Sequence, residues 1–325
     1  MRELPVVELV DRAREGQPRA VARLISLVEA ASPSSRSVAA ALAPFTGRAL
    51  VIGLTGSPGV GKSTTTSALV GAYRALGRKV GVLAVDPSSP FSGGALLGDR
   101  VRMGEHAGDP GVFIRSMATR GHLGGLAVAT PQALRVLDAA GFDVVLVETV
   151  GVGQSEVDIM RLADCAVVLV APGMGDGIQA AKAGILEIAD VFVVNKADRD
   201  GAETTVRELR HAISLGRREI RGASWRQPVV PAVAPRGEGI SALVEAIDEH
   251  HAWGLAHGGF ERRRLARARA EISAIAVAAV RVRIERFQGE LLDRLAAEVG
   301  AGTVDPYRAA DDLIGASGES APPQG

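Results

Sequence analysis

The residues Gly56-Ser57-Pro58-Gly59-Val60-Gly61-Lys62-Ser63 carry the spacing G-x-x-x-x-G-K-S, and Thr64 follows directly. Glycines at the ends of such a loop let backbone N–H groups turn inward on an anion. A lysine in the seventh place meets the outer phosphates of a nucleoside triphosphate, and a hydroxyl in the eighth holds a divalent cation. The chemistry implied is the binding of a triphosphate together with Mg²⁺.

A second group would read the base. Asn195-Lys196-Ala197-Asp198 has the pattern N-K-x-D. An aspartate there accepts from both N1–H and the 2-amino group of guanine. Adenine offers neither donor and would leave the carboxylate buried and unpaired. Following a phosphate loop, the pattern predicts GTP and GDP rather than adenine nucleotides. Lys196 is expected to lay its stem over the base and Asn195 to tie loops together.

Three acids complete the set. Asp86 and Glu148 stand at the ends of apolar runs, and Asp99 lies in Leu97-Gly98-Asp99-Arg100. Carboxylates near a metal-bound triphosphate hold metal-bound waters or orient the attacking water. Lys62, Asp86 and Glu148 are therefore the candidate catalytic residues, with Ser63 and these two acids as candidate Mg²⁺ ligands. A surface turn is the competing reading for Asp99. Gly151 is placed to donate its N–H to the γ-phosphate. Two glycine-rich segments, Arg120–Gly125 and Gly173–Gly177, have the backbone freedom of moving loops. His122 has no His or Cys at ligand spacing, and Cys165, beside an apolar run, reads as a small core residue.

These residues need elements to position them. Apolar runs at 49–54, 79–85, 111–116, 143–149, 165–171, 190–194 and 228–233 predict strands, and helical patterns lie at 62–76, 131–140, 178–189, 203–215 and 239–250. Strands alternating with helices predict an α/β fold with a mostly parallel sheet, whose ligands bind at the carboxyl ends of the strands. Residues 5–30 read as helical, with Val21, Leu24, Ile25 and Val28 forming one stripe. Past Gly258 strand signals stop. Helices are expected over 260–287, 290–299 and 305–313, and a disordered tail from Gly315. The basic run Glu261-Arg262-Arg263-Arg264 reads as a solvated helix face rather than a nucleic-acid patch. The expected division is a helical extension over 1–46, a nucleotide domain over 47–257 and a helical arm over 258–325.

Composition narrows the setting. The chain of 325 residues is 47% hydrophobic but only 3% aromatic, which calls for a core of Val, Leu, Ile and Ala. With 37 basic and 37 acidic residues there is no charge bias toward nucleic acid or membrane. One cysteine excludes an intramolecular disulfide framework. The acidic, non-apolar start does not read as a signal peptide, and no run approaches a membrane span. The expectation is a cytoplasmic protein.

The strings GSPGVGKST, VDPSSPFSGGALLGDRVRM, RGHLGGL, DVVLVETVGVGQSEVDI, GDGIQAAKAGILEIADVFVVNKAD and RGEGI together resemble the MeaB/ArgK family, GTPases associated with methylmalonyl-CoA mutase and related cobalamin-dependent acyl-CoA mutases. The resemblance implies a P-loop G domain of the class that includes signal-recognition and nickel-insertion GTPases, with an N-terminal helical extension and a C-terminal arm used for homodimerisation. It assigns phosphate and Mg²⁺ to Lys62 and Ser63, the hydrolysis centre to Asp86, Asp99 and Glu148, and guanine to Asp198. It places Val233-Ala234-Pro235 as a loop closing over the base, and an additional switch over 175–184 with Asp176, Gln179 and Lys182. Gly177 and Ala183 depart from members that carry an acid and a lysine there. The implied role is a chaperone that binds the mutase, gates adenosylcobalamin loading from an adenosyltransferase and helps expel damaged cofactor. Two alternatives stand beside it: a nickel-delivery GTPase, which needs a Cys/His cluster near the nucleotide, and a kinase linked to arginine/ornithine transport.

Overall fold

The seven apolar runs become seven strands, each beginning at or one residue after its expected start: β1 (Leu50–Thr55), β2 (Val80–Pro87), β3 (Val112–Thr119), β4 (Val144–Thr149), β5 (Cys165–Val170), β6 (Val191–Asn195) and β7 (Val229–Ala232). They form one sheet in the order β3-β2-β4-β1-β5-β6-β7, and every pairing is parallel. The computed structural model describes residues 4–30, 34–87, 104–106, 108–119, 125–149, 161–173, 188–216, 224–286 and 289–319. The chain divides into two compact units, 1–267 and 268–325.

Helices cover both faces of the sheet, so β1, β5 and β6 are buried at every position. The side-chain period of two is visible in β4: Val145 and Val147 join one core, Val144 and Leu146 the other. The first core is shared with α1 (Val6–Arg14), α2 (Pro18–Glu29), α3 (Ser35–Leu42) and α5 (Gly125–Ala139). The stripe Val21, Leu24, Ile25 and Val28 is buried as expected, each Leu or Ile contributing about 2 kcal/mol through lost apolar exposure. The N-terminal helices thus share a core with the sheet. Arg115 of β3 reinforces the contact, donating to Ser26 Oγ at 3.1 Å and pairing with Glu29 at 2.6 Å. On the opposite face lie α4 (Lys62–Ala75) and α7 (Ile240–Ala256), while α6 (Ala202–Gly216) packs through Val206 and Leu209 on Val168, Val170, Phe192 and Val194, the strand positions that alternate with those in the α4 and α7 core.

Apolar spacing misplaced some boundaries. The helix expected from Pro131 starts at Gly125 and carries Pro131 inside it; proline is usual at a helix start because it lacks an N–H, but here one interior bond is given up instead. Helix α3 buries only Val38 and Leu42, too few positions for a periodic signal. The helix expected over 178–189 lies outside the described residues except for Ile188 and Ala189.

Helix α8 (Gly259–Arg286) starts in the first unit and continues in the second, which also holds α9 (Glu290–Gly300) and α10 (Pro306–Glu319), packed on each other. Helix α10 runs through Gly315–Glu319, where a disordered tail was expected. Among the described residues no helix is long and apolar enough to cross a membrane.

Candidate functional site

Strand β1 delivers the chain to the loop Gly56–Gly61, and α4 begins at Lys62. Two glycines are dictated by close approach. At Gly56, with φ +146°, a Cβ would lie 2.3 Å from the Leu169 carbonyl oxygen; at Gly61, with φ +96°, it would lie 2.3 Å from Asn195 Nδ2. The loop is thereby packed against β5 and β6. Its rim, Pro58 and Gly59, is exposed, as is Thr64; Ser57 is half-buried and Val60 is buried. Lys62 is 7% exposed and curls back, Nζ donating to Gly56 O at 2.6 Å and Ser57 O at 3.3 Å. The ammonium therefore lies within the loop where an anion would sit.

Strand β4 is the immediate neighbour of β1, with Glu148 opposite Leu54. Glu148 is 3% exposed, and its Oε1 accepts from Ser63 Oγ at 2.6 Å. A hydroxyl and a carboxylate thus stand side by side at the start of α4. Asp86 lies near the carboxyl end of β2, level with Ala118 in the register. Asp99, Gly151, Asp176, Gln179 and Lys182 lie outside the described residues.

The other wall is built on the end of β6. Asn195 is 1% exposed and makes two bonds in opposite directions: Nδ2 donates to Val60 O at 2.8 Å, and Oδ1 accepts from the Ala234 N–H at 3.2 Å. It joins the phosphate loop to the turn Ala234–Arg236, as its expected loop-tying role requires. Lys196 is in the left-handed region, φ +59°, with Nζ on Gly59 O at 2.6 Å. Val233 and Ala234 are buried, Pro235 exposed. The Asp198 carboxylate is partly exposed and carries a partner that the sequence did not signal, Arg236 Nη1 at 3.3 Å. Arg236 opens the string RGEGI, immediately after Val233–Pro235, the residues expected to close over the base, and that position was the available clue.

At the opposite end of the strands the structure corrects the reading of the basic run. Glu261 and Arg262 are exposed, as a solvated face requires, whereas Arg263 and Arg264, with Arg267 beyond the run, turn toward the sheet. They engage two buried carboxylates at the amino ends of β5 and β6. Arg263 donates to both oxygens of Asp190 at 2.5 Å, Arg267 to Asp164 Oδ1 at 2.9 Å, and Arg264 lies 3.6 Å from Asp164 Oδ2. Burial alone would raise the Asp190 carboxyl, but the bonds from Arg263 and His250 outweigh it and hold it down at about 2.

Cys165, Asp190 and His250 bring possible ligand atoms within 4.8 Å of one another. A cation does not fit there. Asp190 Oδ1 already accepts from Arg263 and from His250 Nε2 at 3.2 Å, and Oδ2 accepts from Arg263 and from Ala166 N at 2.8 Å. All four acceptor positions are taken, and a guanidinium holds the place of a metal. Burial also pushes the Cys165 thiol well up, disfavouring thiolate. The group lies at the end of the sheet away from the phosphate loop, so it does not supply the Cys/His cluster near the nucleotide that nickel delivery needs. Cys165 is a buried core residue, as expected.

A parallel sheet with a glycine-cradled lysine, a serine at the start of the following helix bonded to a carboxylate on the neighbouring strand, and an N-K-x-D turn defines a P-loop nucleotide-binding protein of the GTPase type. Residues 21–288 match the family described as "Methylmalonyl Co-A mutase-associated GTPase MeaB". The chain belongs to this family. It is 48% identical over 309 residues to a protein of Pyrococcus abyssi that bears a GTPase name, covering 94% of this chain and 95% of that one. It is 35% identical over 325 residues to the mouse "Methylmalonic aciduria type A homolog, mitochondrial", covering 92% of this chain and 76% of that one. Among solved structures, that of a "LAO/AO transport system kinase" superposes with a TM-score of 0.69 at 28% identity, over 96% of this chain and 97% of the other.

Proposed function

We propose that this protein binds GTP in the cradle of Gly56–Thr64, hydrolyses it slowly, and uses the change of nucleotide state to act on a cobalamin-dependent acyl-CoA mutase. The single observation that supports the nucleotide reading best is the double bond of Asn195, which fastens the phosphate loop and the Ala234 turn to one side chain. A phosphate site and a base site are thereby held at fixed separation.

Each residue then has a task. On binding, Lys62 exchanges the carbonyls of Gly56 and Ser57 for phosphate oxygens. Backbone N–H groups of the loop and the start of α4 face the β-phosphate. Asp198 accepts from guanine N1–H and the 2-amino group, Lys196 lies along the base, and Val233–Pro235 closes over it. The paired oxygens of Ser63 and Glu148 suit Mg²⁺, a hard cation that takes oxygen ligands; when bound, it neutralises charge on the phosphates. Glu148 and Asp86, with Asp99, hold and orient water for in-line attack. Gly151 and the segment with Asp176, Gln179 and Lys182 sense the γ-phosphate. No arginine finger is evident in the sequence, so turnover stays low until a partner arrives.

The mutase as partner is suggested by the family description, and its adenosyltransferase is a second proposed partner. Another copy of the chain is a further proposed partner: Ile272, Ile275 and Val280 of α8 are 68%, 42% and 45% exposed. Glutamate at Ile272 and Val280 should lower the mass measured by light scattering from dimer to monomer.

The experiment is GTP turnover of the isolated protein with and without mutase. Stimulation by mutase is expected, and Lys62→Ala should abolish nucleotide binding. Fast turnover that mutase leaves unchanged would overturn the regulatory reading. Transfer of γ-phosphate to an acceptor instead of water would favour a kinase, the activity in the name of the 28% identical protein.

A further inference from the structure

We infer that Arg236 sets the guanine specificity of this site by holding the Asp198 carboxylate in the orientation that reads the base. The inference rests on the base-reading role proposed for Asp198.

Asp198 lies in an exposed turn, with 41% of its side chain open to solvent. A carboxylate so placed turns freely about its last bond. Guanine needs both oxygens coplanar with its ring, so orientational freedom is lost on binding unless something has removed it beforehand. Among the described residues, Arg236 is the one that bonds this carboxylate.

Arg236 is itself fixed. Its Nε donates to Glu238 Oε1 at 2.7 Å and its Nη2 to Glu238 Oε2 at 3.3 Å, the fork arrangement of a guanidinium on a carboxylate. Nη1 remains, and it meets Asp198 Oδ2 at 3.3 Å. The backbone beneath is equally defined. Val233 N donates to Glu238 O at 3.0 Å, Gly237 closes the turn at φ +72°, and Ala234 N is bonded to Asn195. On the other side Ala197 N donates to Ala232 O at 3.0 Å. Both the Asp198 turn and the Arg236 turn are thus tied to the ends of β6 and β7, which sets the distance between the two side chains.

Each carboxylate oxygen has two acceptor positions. Arg236 occupies one position on Oδ2, and both oxygens keep a position for the base. In the free protein the pair is open to water and contributes little to stability. Once a base covers Asp198, water leaves, and an uncompensated carboxylate would be costly. The effect of Arg236 therefore falls on base discrimination and not on folding.

The test compares GDP with IDP, whose base lacks the 2-amino group, by calorimetry on the full chain. Arg236→Ala should cut the GDP-over-IDP preference about fivefold to tenfold, the loss of one oriented charge-assisted bond. Glu238→Gln should move the preference the same way by less. Arg236→Ala should add nothing on an Asp198→Asn background, because the two act through one group. An unchanged preference in Arg236→Ala, or an equal loss of GDP and IDP affinity, would overturn the inference while a collapsed preference in Asp198→Asn keeps the base-reading role. An unchanged preference in Asp198→Asn itself would overturn that role and this inference with it.

Discussion

Ser63 Oγ donates to Glu148 Oε1 across 2.6 Å, joining the first turn of α4 to the end of β4. The bond exists because β4 is inserted directly beside β1, which brings the residue after the phosphate-loop lysine level with the last acid of the neighbouring strand. The two groups have different consequences when removed. Glu148→Gln preserves volume and a hydrogen-bonding side chain but removes the charge. It should lower GTP turnover about 10²-fold, the scale of removing one preorganised electrostatic group, with GDP affinity nearly unchanged. Ser63→Ala should instead weaken nucleotide binding measured in Mg²⁺ and abolish its dependence on Mg²⁺ concentration. Single-turnover rates and equilibrium titrations separate the two, and equal effects on both measurements would count against the assignment.

Asn195→Ala removes two anchors at once. It leaves the buried Ala234 N–H and the Val60 carbonyl without their side-chain partner. Each unsatisfied buried group costs about 1–3 kcal/mol, so the variant should melt several degrees lower. Bound GDP should recover less of that loss than in the wild type, because the base and phosphate sites are no longer held together. Scanning calorimetry with and without GDP checks both statements; a wild-type shift on GDP addition would remove Asn195 from the site.

Lys196 is the one residue other than glycine at positive φ among the described residues. A left-handed non-glycine residue costs about 1–2 kcal/mol. Lys196→Gly relieves that cost and deletes the bond to Gly59 O, whereas Lys196→Ala deletes the bond and keeps the strain. Lys196→Gly should therefore melt above Lys196→Ala, yet both should bind GDP more weakly than wild type. Equal melting temperatures would mean that the strained backbone is already compensated elsewhere.

Much of this site was legible locally. The phosphate loop spans eight consecutive residues, N-K-x-D four, and the strands that present them are apolar runs ended by their functional residue. Local spacing carries such features because the chemistry needs neighbours in sequence. The pairings between distant segments were not legible. Arg236 meets Asp198 across 38 residues and Arg263 meets Asp190 across 73, and neither separation has a periodicity to read. They depend on which strands become neighbours. Arg263 shows the cost of local reading: among arginines and a glutamate on a helix it looks solvated, and only the position of β6 reveals a buried acid beneath it. Pro131 is a similar case, where a residue with a strong local preference for a helix start is overruled by the helix that surrounds it.

The Asp190–Arg263 pair makes the seating of the first turns of α8 on the sheet dependent on pH. Asp190 is 5% exposed and its carboxyl is held at about 2 against an ordinary 3.8. A group with a lowered value in the folded state contributes stability that is complete above its unfolded value and is lost as the pH falls through its folded value. The window is therefore between about pH 4 and pH 2, and the contribution is about 2 kcal/mol. Arg263→Ala removes the two bonds that lower the carboxyl and leaves Asp190 with His250 and Ala166. It should melt below wild type at pH 7, with the gap narrowing as the pH is taken from 4 toward 2, because the wild type then loses the same interaction by protonation. Asp190→Asn should narrow the gap in the same way. Thermal unfolding of the full-length variants across this range is the measurement, and a gap that stays constant would mean that Arg263 contributes packing along its stem and not charge to the buried acid.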